Sequence, residues 1–352
     1  MRIVLAYAGS LAGSAAIQWL RERYEAEVVA VILDLGQGRE LEAVRDRALT
    51  LGAQRAHVID ARDTFARDFV LPALRADALH EGRVPMALAL SRPLIARTLV
   101  ELAGIERADA VAHTGRAAAH VSRLDLLLST LAPALPVLRP ARDWALDAAT
   151  LSAFGRRHGL SASPGESSQV ESNFWGRSRR PGAAGEAVDD LVSPSHAAPD
   201  EPASVDISFT RGVPTALNGV GLPLLELVSS LGMLASMHGV APVRVGAVSC
   251  DAPAAVLIHA AHRALTAVAS PAEVQAFSAS ASAAYVTTVE QARWFSPLRE
   301  GLDAYFAVTQ AAVSGHVGLR IFKGEFSTTT TELSQPSAQA PLLRVVPSHA
   351  QH

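Results

Sequence analysis

The stretch Arg2-Ile3-Val4-Leu5-Ala6-Tyr7-Ala8-Gly9-Ser10-Leu11-Ala12-Gly13-Ser14 decides the fold. It opens on an unbroken apolar run, the pattern of a strand covered on both faces, as in a helix-flanked parallel sheet. It then turns at Gly and Ser and runs into Ala15-Ala16-Ile17-Gln18-Trp19-Leu20-Arg21-Glu22-Arg23-Tyr24, an amphipathic helix. A second apolar run, Glu27 to Leu33, enters the turn Asp34-Leu35-Gly36-Gln37-Gly38; a helix over about 40–51 then precedes a strand near 55–60. Strands and helices alternating at this spacing imply right-handed crossovers and a parallel sheet, so the first half is α/β.

Outward from that core, helices are predicted at about 62–79 and 92–104. A strand follows at Ala108–His113, ending in the turn Thr114-Gly115-Arg116, and another helix runs through Leu126–Leu131. The segment Pro133–Pro140 gives a further strand, and a helix from Asp147 to Gly159 closes a first domain, 1–160. A second, α+β domain is expected over 161–330, with a Pro-, Gly- and Ala-rich linker or surface excursion at about 178–204. It contains the alternating run Val205–Thr210, a turn at Gly212-Val213-Pro214, helices near 222–238, 253–268 and 297–314, and a closing hairpin from His316 to Thr331. Residues 331–352 are polar and Pro-interrupted, which predicts a loose tail.

Composition narrows the function. With 352 residues, 49% hydrophobic and 18% charged, the chain carries enough apolar mass for two packed domains. A net charge of −3 offers no basic field for a nucleic-acid backbone. No apolar run reaches membrane-spanning length, and the N-terminus enters a strand without a signal-peptide pattern; a cytoplasmic protein is expected. The single cysteine, Cys250, excludes an internal disulfide and reads as a buried, inert thiol. His259 and His262 share a helix face but lack a nearby carboxylate, so no metal site is expected. Lys323, the only lysine, lies in a strand-like run and reads as structural.

The turn at 8–14 would place free backbone N–H groups and the positive end of a helix on one spot, as a phosphate site requires. It has neither the Gly-Lys-Ser/Thr of a Walker loop nor a G-x-G-x-x-G pattern, so an ordinary strand-to-helix turn is an equal reading. The run Val4–Ser14, however, resembles the V-L-A-Y-S-G-G-L-D-T-S signature of argininosuccinate synthases. The likeness continues at 34–38, 78–83, 92–96, 109–115 and 131–133. It extends through Asn173–Ser178, Gly212–Gly219, His259–Leu265 and Trp294–Arg299. It covers about residues 2–326 in order. It implies a PP-loop-type domain (adenine nucleotide alpha-hydrolase-like) followed by a synthetase domain, and an activity that activates citrulline with ATP and condenses it with aspartate.

The departures from the family pattern fall on polar positions. In the nucleotide loop Ala8 and Ala12 stand for a Ser and an Asp, Ser10 and Gly13 for a Gly and a Thr; Gly9, Leu11 and Ser14 remain. Leu33 stands where the family has a small residue lining the adenine pocket. In the second signature, T-G-K-G-N-D-Q-V-R, the Asn and Asp positions are Ala118 and Ala119, and Arg123 stands at or one residue from the family's citrulline-binding arginine. Citrulline-contacting Tyr and Ser positions fall on Val84 and Ala89, a Ser on Gln169 and a Tyr on Cys250; Ser178 survives.

The resemblance therefore leaves Gly9, Ser10, Ser14 and Gly115 as a residual phosphate loop. Arg92, Thr114, Arg116, Arg123 and Ser178 remain as substrate contacts, with His113 and His120 as acid/base candidates. The pattern favours a silent or regulatory homologue that no longer makes argininosuccinate, needs no cofactor and acts through a protein partner. The alternatives are an ATP-dependent carbon–nitrogen ligase for another amino-acid-like substrate, and a weak argininosuccinate synthase; both would use ATP and magnesium. The family's C-terminal arm is reduced to the tail after Ser327, which predicts a dimer in place of the family's tetramer.

Overall fold

The computed structural model describes residues 1–38, 40–115, 118–144, 147–160, 170–179, 198–246 and 248–334. The first half runs β1 (Arg2–Ala6), α1 (Leu11–Tyr24), β2 (Glu27–Asp34), α2 (Leu41–Thr50) and β3 (Arg55–Asp60). Then come α3 (Arg62–Phe65), a π-helical turn (Ala66–Val70), α4 (Leu71–Arg75), the hairpin β4 (Leu79–His80) and β5 (Val84–Pro85), and α5 (Ala87–Glu106). It closes with β6 (Ala110–Ala112), α6 (Ala118–Leu131), β7 (Val137–Leu138), α7 (Pro140–Asp143) and α8 (Ala148–Arg157).

Strands in the order β3-β2-β1-β6-β7 form a parallel sheet. Alternation along β1 separates two cores. Ile3 and Leu5 face α1 and α2, packing with Ile17, Leu20, Val44 and Ala48. Val4 faces the other side, where Leu90, Leu94 and Leu99 of α5 lie. With both faces covered, residues 3–5 have no exposed surface, which is why β1 is apolar without interruption.

The second half contains β8 (Val170–Asn173), β9 (Gly176–Arg179), β10 (Ala203–Thr210), β11 (Val213–Leu217), β12 (Val220–Gly221) and α9 (Leu224–Met237). After β13 (Val243–Val245) and β14 (Val248–Asp251) come α10 (Pro253–Ala269), α11 (Ala272–Glu290), α12 (Pro297–Thr309), β15 (Gly315–Phe322) and β16 (Glu325–Leu333). An antiparallel sheet, β12-β11-β10-β15-β16, packs against α9 and α10, and a smaller one, β13-β14-β9-β8, lies against α5 and β5. The core on the α5 side of the first sheet continues into the second half through Trp175, Ile207, Leu257, Ile258 and Val317.

Several sequence expectations need correction. The helix expected over 62–79 is broken by the π-helical turn and ends before Asp77, whose left-handed backbone (φ 46°) reverses the chain. The helix expected at 297–314 ends at Thr309 and passes through a 3-10 turn. α11, the small sheet and the β4–β5 hairpin were not anticipated. Residues 331–333, expected in the tail, belong to β16, and Lys323 sits in the β15–β16 turn, its Nζ 2.9 Å from Asp200 Oδ1. Most of the excursion expected at 178–204 lies outside the described residues, as do 335–352. Among the described residues no helix is long and apolar enough to cross a membrane.

Candidate functional site

Parallel sheets present their ligands at the carboxyl ends of the strands, where neighbouring strands lead in opposite directions. Here that place is between β1 and β6, so the segments after β1, β2 and β6 surround it. After β1, Gly9 takes φ +77°, and a Cβ there would come 3.0 Å from Val44 Cγ2 of α2. Arg47 of α2 donates to the Gly9 carbonyl at 3.0 Å, fixing the turn from below. Ser10 caps α1, its hydroxyl accepting from the Gly13 amide at 3.0 Å.

The absent side chain at Gly13 shapes the rest of the loop. A Cβ there would lie 2.9 Å from Cδ2 of Tyr7, so the buried tyrosine ring lies against the helix backbone. Its hydroxyl reaches the fully buried Ser14 hydroxyl at 3.0 Å. The Ser14 hydroxyl is thus engaged within the protein, while Ser10 uses its acceptor oxygen on the Gly13 amide. Ala8, exposed, and Ala12, buried, add no side-chain donor. What the loop offers an anion is the helix N-terminus and the Ser10 hydroxyl proton.

After β2, the Asp34 carboxylate accepts from the Gly36 amide at 2.8 Å, and Gln37 bonds both the Leu33 carbonyl and the Leu35 amide. Leu33 itself is half-buried and packs on the core. Phe174, in the β8–β9 turn, seats over Gly36, where a Cβ would meet the phenylalanine Cβ at 2.7 Å. The second half is therefore tied to the β2 turn.

After β6, His113 is buried with both ring nitrogens engaged. Nδ1 accepts from the Gly115 amide at 3.4 Å, and Nε2 lies 2.9 Å from Asp125 Oδ1. That pattern puts the ring proton on Nε2. Arg139 Nε donates to the other Asp125 oxygen at 2.7 Å. Burial pushes the Asp125 carboxyl up, but hydrogen bonds from His113 and Arg139 outweigh it and hold the group below its ordinary value. Thr114 and Gly115 are half-buried beside it. Arg116 and Gln169 lie outside the described residues; of Ala118, Ala119 and His120 only the place at the start of α6 is described.

The substrate positions implied by the resemblance divide into two groups. Val84, Ser178 and Cys250 are all buried where β5 runs against β14 and β14 pairs with β9, Cys250 opposite Ser178. The Ser178 hydroxyl donates to Cys250 Sγ at 3.5 Å. Burial pushes the Cys250 thiol up to about 11. Ala89, Arg92 and Arg123 instead line a shallow depression between α5, α6 and the segment after α11, with Trp294 at its wall. Among the described residues no group of three or more His, Cys, Asp or Glu could hold a metal. His259 pairs with Asp77 at 3.0 Å, and His262 with Gln310 at 2.8 Å; burial drives the His262 pKa down to about 4.

Sequence reading did not find Asp125 and Arg139 as partners of His113, nor the Tyr7–Ser14 pair. Asp125 left one signal: it is the single carboxylate in α6, set among Leu124, Leu126, Leu127 and Leu128.

Comparisons with known proteins follow the same division. Residues 2–161 match the family model of the arginosuccinate synthase N-terminal HUP domain, and residues 170–336 that of the arginosuccinate synthase C-terminal domain. The chain is 40% identical to the argininosuccinate synthase of Rubrobacter xylanophilus, over 96% of this chain and 86% of that one. It is 40% identical to that of Gloeobacter violaceus (92% and 86%) and 38% to that of Oceanobacillus iheyensis (92% and 82%).

Proposed function

This chain belongs to the argininosuccinate synthase family, and from that premise we propose that it keeps the family's scaffold without the family's reaction, as a silent or regulatory homologue. The observation that carries this reading is the state of the loop after β1. The Ser14 hydroxyl is engaged with Tyr7, the Ser10 oxygen caps the Gly13 amide, and Ala8 and Ala12 have no hydroxyl to offer. The residues present fit ATP with magnesium poorly. A helix N-terminus contributes about 0.3–1 kcal/mol toward a phosphate, whereas each hydrogen bond to a charged group contributes about 1.5–3 kcal/mol. Losing two such groups corresponds to roughly 100-fold to more than 10,000-fold weaker binding. The buried Val84, Ser178 and Cys250 support the same reading on the citrulline side.

Calorimetry with ATP and magnesium tests it, with no binding expected at millimolar nucleotide. Saturable binding below about 100 micromolar would overturn it. A second reading, an ATP-dependent carbon–nitrogen ligase for another substrate, draws on the intact backbone turn at Gly9 and on Arg92 and Arg123 lining one depression. Pyrophosphate release on adding an amino acid other than citrulline would decide in its favour.

A further inference from the structure

Away from this site, α4 of the first half packs against α12 and β11 of the second. Three arginines gather at that seam: Arg75 at the end of α4, Arg211 in the β10–β11 turn and Arg299 on α12. Arg299 pairs with Asp303 Oδ2 and stacks on Trp294, 4.6 Å from the ring centroid. Arg75 has no carboxylate within salt-bridge distance among the described residues. The charges it feels are Arg211, of like sign, and Asp303, already paired. Glu300, exposed on α12, acts on Asp303 and not on Arg75. Tyr285 of α11 is wholly buried and lies between Asp303 and Arg299.

The hydrogen-bond census of this cluster is unbalanced. The buried atoms left without a partner are Nε of Arg75, Nε of Arg299, the Tyr285 hydroxyl and Oδ1 of Asp303. The Tyr285 hydroxyl can donate to Asp303 Oδ1 and accept from Arg299, which leaves the Nε–H of Arg75 with no described protein acceptor. Buried donors and like charges held together are both costly unless an acceptor of opposite charge joins them. We propose that Arg75 and Arg211, backed by Arg299 and Tyr285, bind a small oxyanion at the seam between α4 and α12. Burial and the neighbouring Arg211 charge lower the Arg75 pKa, and Asp303 offsets them only in part. Arg75 is half-buried and Arg211 exposed, so the position is reachable from solvent. An anion there joins the two halves, and the stability of the fold then depends on its concentration.

The test is thermal unfolding of the full chain at constant ionic strength, replacing chloride stepwise by phosphate, and separately by acetate. A saturable rise of the midpoint is expected in the wild type. Arg75→Gln and Arg211→Gln should each respond only at concentrations about tenfold higher or more. Phosphate at the loop after β1 would act equally on all three proteins, so the difference between wild type and variants isolates the seam. A rise with acetate assigns a carboxylate ligand; a rise with phosphate alone assigns a tetrahedral anion. Should Arg75→Gln fail to fold, the exposed Arg211→Gln carries the comparison. Equal responses in wild type and variants, or none in the wild type, would overturn the proposal.

Discussion

At the scale of single residues, Gly13 controls the state of the loop after β1. Alanine is the better helix former by about 1 kcal/mol, yet its Cβ would come 2.9 Å from the ring of Tyr7 and 3.2 Å from the Ser10 hydroxyl. The ring is buried and its hydroxyl is engaged with Ser14, so it cannot swing away cheaply. Overpacking of that kind costs about 1–3 kcal/mol, and Gly13→Ala is expected to lower the unfolding midpoint by a few degrees. A raised midpoint would show that the ring is not seated against the helix. Cys250 gives a simpler check. It is fully buried and its thiol is pushed up to about 11, so a thiol reagent at pH 8 should label it only after denaturant is added. The identities at both positions were visible in the sequence. The ring lying in the space left at residue 13 was not, because contacts between residues 7 and 13 depend on the helix register.

Among the secondary-structure elements, those with a strong period were legible. β1 and β2 are apolar because both faces are covered, and α10 repeats its buried residues at helical spacing. α11 was missed because it is built from alanine and serine: only Ala281, Tyr285, Thr288 and Val289 are buried, and its first two turns are largely exposed. The strands of the small sheet have three or four residues, too few for alternation to register. The β4–β5 hairpin, which carries Val84, was hidden for another reason, since second-half residues hold it in place. Asp77 accepts from His259 and Arg263 of α10, Arg263 donates to the Gly82 carbonyl at 3.0 Å, and His80 pairs with Glu290. Burial raises the Asp77 pKa, but His259 and Arg263 outweigh it, and the net shift is downward. A carboxylate with a lowered folded pKa adds stability above its unfolded value, near 3.9, and that stability is lost as pH falls through the folded value. Asp77→Asn, which suits the left-handed backbone, should therefore cost about 1.5–3 kcal/mol at pH 6. The deficit should shrink below about pH 4 in unfolding curves measured against pH. A deficit independent of pH would mean that the charge contributes nothing.

For the molecule as a whole, the departures from the family pattern named above fall in three places, while the core that joins the two halves is continuous. Condensing citrulline with aspartate requires a nucleotide and two substrates held together in reacting geometry, where a misplacement of about 1 Å can cost on the order of 100-fold. Repair of one subsite should consequently leave the reaction silent. The double variant Ala8→Ser with Ala12→Asp returns two polar groups to the loop and is expected to raise ATP affinity by at least about tenfold, seen by calorimetry. It should still form no argininosuccinate from ATP, citrulline and aspartate, because on the proposed reading the citrulline positions are Val84 and Cys250, both packed, and Ala89, which has no hydroxyl. A synthase at 40% identity, such as that of Rubrobacter xylanophilus, serves as the positive control in the same assay. If the unmodified chain releases argininosuccinate in that assay, or restores growth of an arginine auxotroph at ordinary expression, the reaction has survived these substitutions and the non-catalytic reading fails.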